Sequence, residues 1–285
     1  MTTPNDLELK LVPPGSPWFL ALQFTDASCR PGVRALLALR GELLDAALAQ
    51  RDPTIARMRL AWWREEIQRL VMGEARHPVG QALAAAAAGA QLEADYLLEL
   101  VEGAEIDLAG ERPESDSELT LYLHRSNGVL HELIAQVCGL TDPAAERNVR
   151  RYAQRLGQGL RLVEIGRDLF VDARSGRFYL PDSWLNEHGV RLKDLEAAEL
   201  TDGVISLVRS IGQRAADILN EACEKLPARE RPRQRTGLVM LALYRQPLAD
   251  LQDSGTPTTG APASRGIGSL FQAWNAARRA QKRLL

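Results

Sequence analysis

The sequence predicts an all-α chain, and three observations carry that expectation. Apolar residues recur at helical rather than alternating spacing, proline and glycine clusters cut the chain into helix-sized segments, and no alternating run suggests a strand. In Thr54 to Met72, Ile55, Met58, Trp62, Ile67 and Leu70 return near the helical period, with Arg57, Arg64, Glu65 and Gln68 between them. Breaks fall at Pro13 to Pro17, Pro31-Gly32, Pro113, Pro143, Pro181, Pro227 to Pro232 and Gly255 to Gly268.

Taken in chain order, residues 1–17 form a polar arm whose Asp6 and Glu8 interrupt any signal-like segment. Trp62 and Trp63 are neighbours and so cannot share one helix face, which predicts one in the core and one at a groove or partner surface. The run Ala82 to Ala90 is almost pure alanine and predicts a buried helix of close neighbours. After Pro143 a helical pattern runs unbroken from Ala144 to about Asp172. Residues 253–268, rich in Ser, Thr, Gly and Pro, predict a loop before a last helix. That helix carries Arg278, Arg279, Lys282 and Arg283, suited to a helix C-terminus and to contact with anionic lipid.

Composition narrows the function. At 285 residues the chain is expected to form one domain over 1–285, since single cores stop growing beyond ~250 to 300 residues. A net charge of -2 supplies no broad field for nucleic acid. Cys29, Cys138 and Cys223 have neither disulfide-framework nor metal-site spacing, which predicts buried thiols in a reducing compartment. His77, His124, His131 and His188 show no zinc spacing, and no phosphate-loop, dinucleotide or serine-nucleophile motif occurs. No apolar run approaches the ~18 residues of a spanning helix. The expected location is cytoplasmic, with peripheral membrane contact left open.

The strongest chemical signal is a stripe of acids. Glu164, Asp168 and Asp172 are spaced by four, which stacks three carboxylates on one helix face at ~6 Å intervals. Such a stripe suits Mg2+, which takes one or two carboxylates and completes its shell from water and phosphates. The same spacing also suits a solvated face paired with Arg161, Arg167 and Arg174. The segment that follows, Arg174-Ser175-Gly176-Arg177-Phe178-Tyr179-Leu180-Pro181, places two arginines where their planar forks would meet phosphate oxygens.

Together, Leu156 to Leu160, Arg167-Asp168, Asp172 to Arg174 and Gly176 to Pro181 resemble the second aspartate-rich signature of squalene and phytoene synthases. Further likenesses lie at Arg34 to Arg40, Trp62 to Glu66, Ile106 to Leu108, Tyr122 to Gly128 and Leu241 to Gly255, so the resemblance covers nearly the whole chain. It implies the isoprenoid synthase fold, a helical bundle around an apolar cavity with aspartate motifs facing across its mouth. It also implies Mg2+-assisted, head-to-head joining of prenyl diphosphates. Carried onto this sequence, Asp168 and Asp172 would be catalytic, and Glu164 would join them as a metal ligand. Arg40, Arg167, Arg174, Arg177 and Tyr179 would bind the diphosphate.

Departures from the family pattern matter to that implication. Anchored on Arg40, the first motif's tyrosine position falls on Leu36, and its aspartate positions fall on Leu43, Leu44 and Ala47. Glu42 and Asp45 stand out of register as a weak substitute pair. In the second motif Glu164 replaces a usual asparagine, Val171 an acidic residue and Arg161 a common glutamine, so Arg161 would neutralise Glu164 and Asp168. The pattern at Glu42, Trp62-Trp63 and Tyr179 to Pro181 is similar to a non-catalytic branch that includes the mitochondrial complex I assembly factor of this fold. The leading expectation is therefore a prenyl- or diphosphate-binding or assembly factor without synthase activity, which admits a protein partner. The alternative is an active Mg2+-dependent prenyl transferase.

Overall fold

A computed structural model describes residues 12–49, 52–86, 92–257 and 267–281, and all regular structure among them is helical. Thirteen α-helices follow in order: α1 (Pro17–Phe24), α2 (Arg30–Leu48), α3 (Pro53–Val71), α4 (Pro78–Ala86), α5 (Ala94–Ala109), α6 (Asp116–Leu123), α7 (Val129–Cys138), α8 (Glu146–Arg174), α9 (Asp182–Glu187), α10 (Leu192–Glu196), α11 (Asp202–Lys225), α12 (Arg235–Asp253) and α13 (Ile267–Gln281). A π-helical turn, His124–Gly128, joins α6 to α7, and a 3-10 turn, Pro143–Ala145, leads into α8.

The helix starts follow local chemistry. Ser16 precedes Pro17 and accepts from the Phe19 amide at 3.2 Å, while Asp52 precedes Pro53 and accepts from Thr54 at 2.8 Å. Ser115 and Thr201 cap α6 and α11 in the same way. Each side-chain oxygen satisfies an amide that the first helical turn cannot. Proline one position on has no amide to lose.

Two apolar clusters make the core. In one, α8 contributes Tyr152, Leu156, Leu160 and Val163, packed with Leu207 and Ile211 of α11 and Val239 and Leu243 of α12. In the other, Leu36, Leu39 and Leu43 of α2 pack with Trp63 and Ile67 of α3, Leu97 and Val101 of α5 and Leu130 of α7. Trp18 and Phe19 of α1 rest against both. Glycine permits the close approach of α5 and α8 to the π turn. A Cβ on Gly103 would lie 2.7 Å from the Arg125 carbonyl oxygen, and one on Gly157 would lie 2.4 Å from that of Asn127.

Two expectations need correction. The helix over Thr54 to Met72 is present, yet its core face is Ala56, Leu60, Trp63 and Ile67, whereas Ile55, Met58 and Trp62 are exposed. The apolar period was read one residue out of phase because the buried face also contains a charge, Glu66. Its carboxylate accepts from the Arg76 and His77 amides, both at 2.6 Å, at the entry to α4. The described part of the alanine run, 82–86, is not fully buried: Ala82 and Ala85 of α4 are exposed and Leu83 is buried. Residues 87–90 of that run lie outside the described residues, as do Lys282, Arg283 and most of the N-terminal arm. The tryptophan pair divides as expected, with Trp63 3% and Trp62 40% exposed.

Candidate functional site

The site is organised by α8, whose 29 residues run through the first cluster and carry the acidic stripe near their end. Each carboxylate there has a cation of its own. Arg161 donates to Glu164 at 3.2 Å, Arg167 makes a two-pronged contact with Asp168, and Arg177 donates to Asp172 at 3.2 Å. Among the described residues no three His, Cys, Asp or Glu side chains lie grouped closely enough to hold a metal ion together. Glu164 is drawn away from the other two by Tyr244 of α12, whose hydroxyl donates to it at 2.6 Å.

Arg161 is the hub. It donates to the Tyr122 hydroxyl at 2.6 Å, Tyr122 donates to Asp107 at 2.8 Å, and Tyr179 donates to the same Asp107 oxygen at 3.1 Å. The two tyrosine rings stack at 5.1 Å with the Arg161 guanidinium over both. Burial favours the neutral form of every member. Tyr122 is accordingly held well above the usual phenol range by desolvation, and Tyr179 is pushed to about 12 by burial and then by Asp107. For Glu164 burial acts upward, but Arg161, Arg40, the Tyr244 hydrogen bond and Arg167 outweigh it, and the carboxyl stays below its usual value. Asp172 goes the other way, raised by burial against the opposing pull of Arg161 and Arg177.

Arg40 enters this network from α2, acting electrostatically on Glu164, Tyr244 and His131. Leu36, Leu43 and Ala47 recur with Arg40 at steps of three and four, so they share its helix face, and all three are buried. Glu42 and Asp45 are turned well around the helix from that face and meet Arg59 of α3, at 3.9 and 3.0 Å. The weak substitute pair therefore does not oppose Asp168. Arg174 is exposed and donates to the Phe170 carbonyl at 3.2 Å, apart from the other arginines.

The geometry leaves three guanidinium nitrogens around Glu164 buried and without a hydrogen-bond partner among the described residues: Arg40 Nε, Arg161 Nε and Arg167 Nη1. Buried N–H groups are costly unless paired, so this cluster is suited to an added anion. Beside it a narrow crevice lined by Ile165, Leu169, Arg177, Phe178 and Tyr179 holds about 10 Å³, too little for a prenyl chain in this state. A wide polar groove of about 1100 Å³ lies elsewhere, along the first half of α8, where Arg150 meets Glu132 and Glu146 and Arg151 and Arg155 meet Glu221.

Sequence reasoning missed Tyr244 and His131. His131 is buried against Trp18 with ring centroids 5.2 Å apart, and its Nδ1 donates to the Asn127 carbonyl at 3.0 Å. For Tyr244 the signal was its place in the Leu241 to Gly255 segment already likened to the family, whereas His131 lies just beyond the Tyr122 to Gly128 likeness.

The all-helical chain, with an aspartate- and arginine-bearing helix at its centre, has the isoprenoid synthase fold. A dehydrosqualene synthase shares the fold at TM-score 0.82 and 18% identity, covering 99% of this chain and 96% of that one. The squalene synthase HpnC of Alicyclobacillus acidocaldarius does so at 0.76 and 22%, covering 89% and 94%. The squalene/phytoene synthase family model matches residues 13–278, and the chain belongs to that family. Among curated relatives, a phytoene synthase of Mycobacterium tuberculosis is 29% identical over 228 residues, 79% of this chain and 74% of its own. One from Thermus thermophilus is 29% identical over 200 residues, 70% and 67% of the two chains.

Proposed function

We propose that this chain binds a prenyl diphosphate, with its diphosphate at the arginine-rich face of α8, and that Mg2+-dependent prenyl transfer is the reading its relatives favour. The single observation that supports the ligand class is the set of unpartnered guanidinium nitrogens of Arg40, Arg161 and Arg167. Guanidinium forks match phosphate oxygens in geometry and charge.

Asp168 and Asp172 would hold Mg2+, since they sit one turn apart, are partly exposed and offer the hard oxygens that ion prefers. Bound there, it would supply charge neutralisation for a departing diphosphate. The chain's own part is an exchange of partners. Without ligand, Arg167 and Arg177 are held by Asp168 and Asp172; a diphosphate would compete for both guanidiniums and free the carboxylate oxygens. Mg2+ affinity should therefore depend on the diphosphate being present.

A second reading, binding without head-to-head synthesis, is favoured by one specific observation. The α2 face that carries Arg40 presents Leu36, Leu43 and Ala47, and the nearby acids are committed to Arg59. On this reading the chain would act as a prenyl-diphosphate carrier or an assembly factor for a protein partner.

One titration with a turnover assay separates the two. Mg2+ and a non-hydrolysable farnesyl diphosphate analogue are titrated into the protein and into Asp168→Ala, and farnesyl diphosphate is then incubated with each to follow diphosphate release. Transfer requires Mg2+-dependent binding and release, both lost in the variant. Binding with no release supports the second reading, and no binding by folded protein rules out both.

A further inference from the structure

We infer that α13 and the cleft beneath it form a docking surface for an anionic phospholipid membrane. The surface stands apart from the α8 network and does not depend on the reading given above. On one side α13 buries Ala273, Ala276, Ala277 and Ala280 against α12 and α1. On its outer side Leu270, Phe271 and Trp274 are 49%, 59% and 43% exposed, and the two aromatic rings lie 5.8 Å apart. Large apolar groups held in water on successive turns are costly unless something covers them.

Charge indicates what covers them. After Asp253 the sequence has five basic residues, Arg265, Arg278, Arg279, Lys282 and Arg283, and no acidic one, so the remainder of a chain of net charge -2 is distinctly acidic. Arg278 sits over the Trp274 ring at 5.2 Å, which puts a cation beside the exposed aromatics. Beneath Trp274 a cleft of about 470 Å³ is lined by Arg30, Arg235 and Arg278, with Asp26 its only acidic wall residue. The Nε atoms of Arg30 and Arg235 are buried and have no hydrogen-bond partner among the described residues. Aromatic and leucine side chains beside arginines, on a helix without acids, suit the boundary between headgroups and acyl chains. The cleft would take a headgroup phosphate while Phe271 and Trp274 enter the acyl boundary. An acidic protein would satisfy the arginines and leave the aromatic face uncovered, and a second copy would bring its own basic tail against this one. The acidic balance of the remaining sequence favours this end as the one that meets a negative surface.

The test is co-sedimentation of the full chain with vesicles of phosphatidylglycerol and phosphatidylcholine in equal parts, and with phosphatidylcholine alone. Expected is binding to the first, weakened by added salt, and little binding to the second. Arg278→Gln with Arg279→Gln should reduce partitioning roughly fivefold per charge removed. Phe271→Ser with Trp274→Ser should abolish it, with an unchanged circular dichroism melt showing that these exposed changes leave the fold intact. Equal binding to both vesicle types, no binding by folded protein, or full binding by the aromatic variant would overturn the inference. So would a concentration-dependent dimer that the aromatic variant breaks, because a second copy would then cover the face.

Discussion

The acids of α8 and those of α2 are chemically alike, yet they occupy different environments. Glu164 lies among Arg161, Arg40, Arg167 and Tyr244, in a network that reaches Asp107, Tyr122 and Tyr179. Glu42 and Asp45 share one arginine, Arg59, which is 32% exposed. A carboxylate in the first setting is fixed in place and its loss strands buried partners, whereas one in the second is screened by water. The kind and number of acids is therefore a poor guide to a site, and the helix face on which they fall decides what they do.

The comparison is tested most severely at Arg161. Replacing it with leucine leaves Glu164 and Tyr122 without their buried cation and should cost about 3–5 kcal/mol in urea unfolding. Adding Glu164→Asn to Arg161→Gln removes both charges together, so the double variant should be more stable than the sum of the singles implies. Tyr244→Phe withdraws only the hydrogen bond to Glu164 and should cost about 1.5–3 kcal/mol.

His131 sharpens the contrast, because Arg40 of α2 and Glu164 of α8 both act on it. Burial above all, with Arg40 adding to it against the Asn127 hydrogen bond and Glu164, pushes its pKa down to about 4. The unfolded chain thus binds this proton more readily, and stability is lost as pH falls from the ordinary histidine range toward 4. Between pH 7 and 5 the loss should be about 2 kcal/mol and should be absent in His131→Phe, read from melting midpoints. The smallest effect belongs to the other region: Arg59→Ala should change stability by about 0–1 kcal/mol. A larger loss there would remove the distinction between the two acidic regions.

Much of the fold was legible because long helices announce themselves by period and cap. Proline breaks and the pattern after Pro143 located α8, and the motif from Arg167 to Pro181 located the acids. What remained hidden was contact between distant segments. Nothing in a linear reading joins Asp107, Tyr122, Arg161 and Tyr179, or brings Tyr244 to Glu164, because those meetings depend on how helices cross. The misread face of α3 has a similar cause. Glu66 is 1% exposed and Glu230 is fully buried, each accepting two backbone amides, Glu230 those of Thr141 and Asp142 at 2.7 and 2.9 Å. Polarity alone assigns such side chains to the surface, whereas the amides they satisfy make them interior.

The π turn at His124–Gly128 bears on how the chain can change length. It holds one residue more than an α-helical turn would, so α6 and α7 run on through it with their side chains offset. Five residues of a π turn sweep about the same angle as four of an α-helix, so deleting one would heal the helix and leave α6 and α7 in nearly their present relation. Tyr122 would keep its place beside Asp107 and Arg161, and the contacts of the turn itself, such as that of Asn127 with the Gly157 carbonyl, would be the ones to shift. The turn is thus a place where the chain can carry one residue more or fewer with the tyrosine–arginine network kept, and a single-residue deletion here should cost less stability than one in the middle of α8.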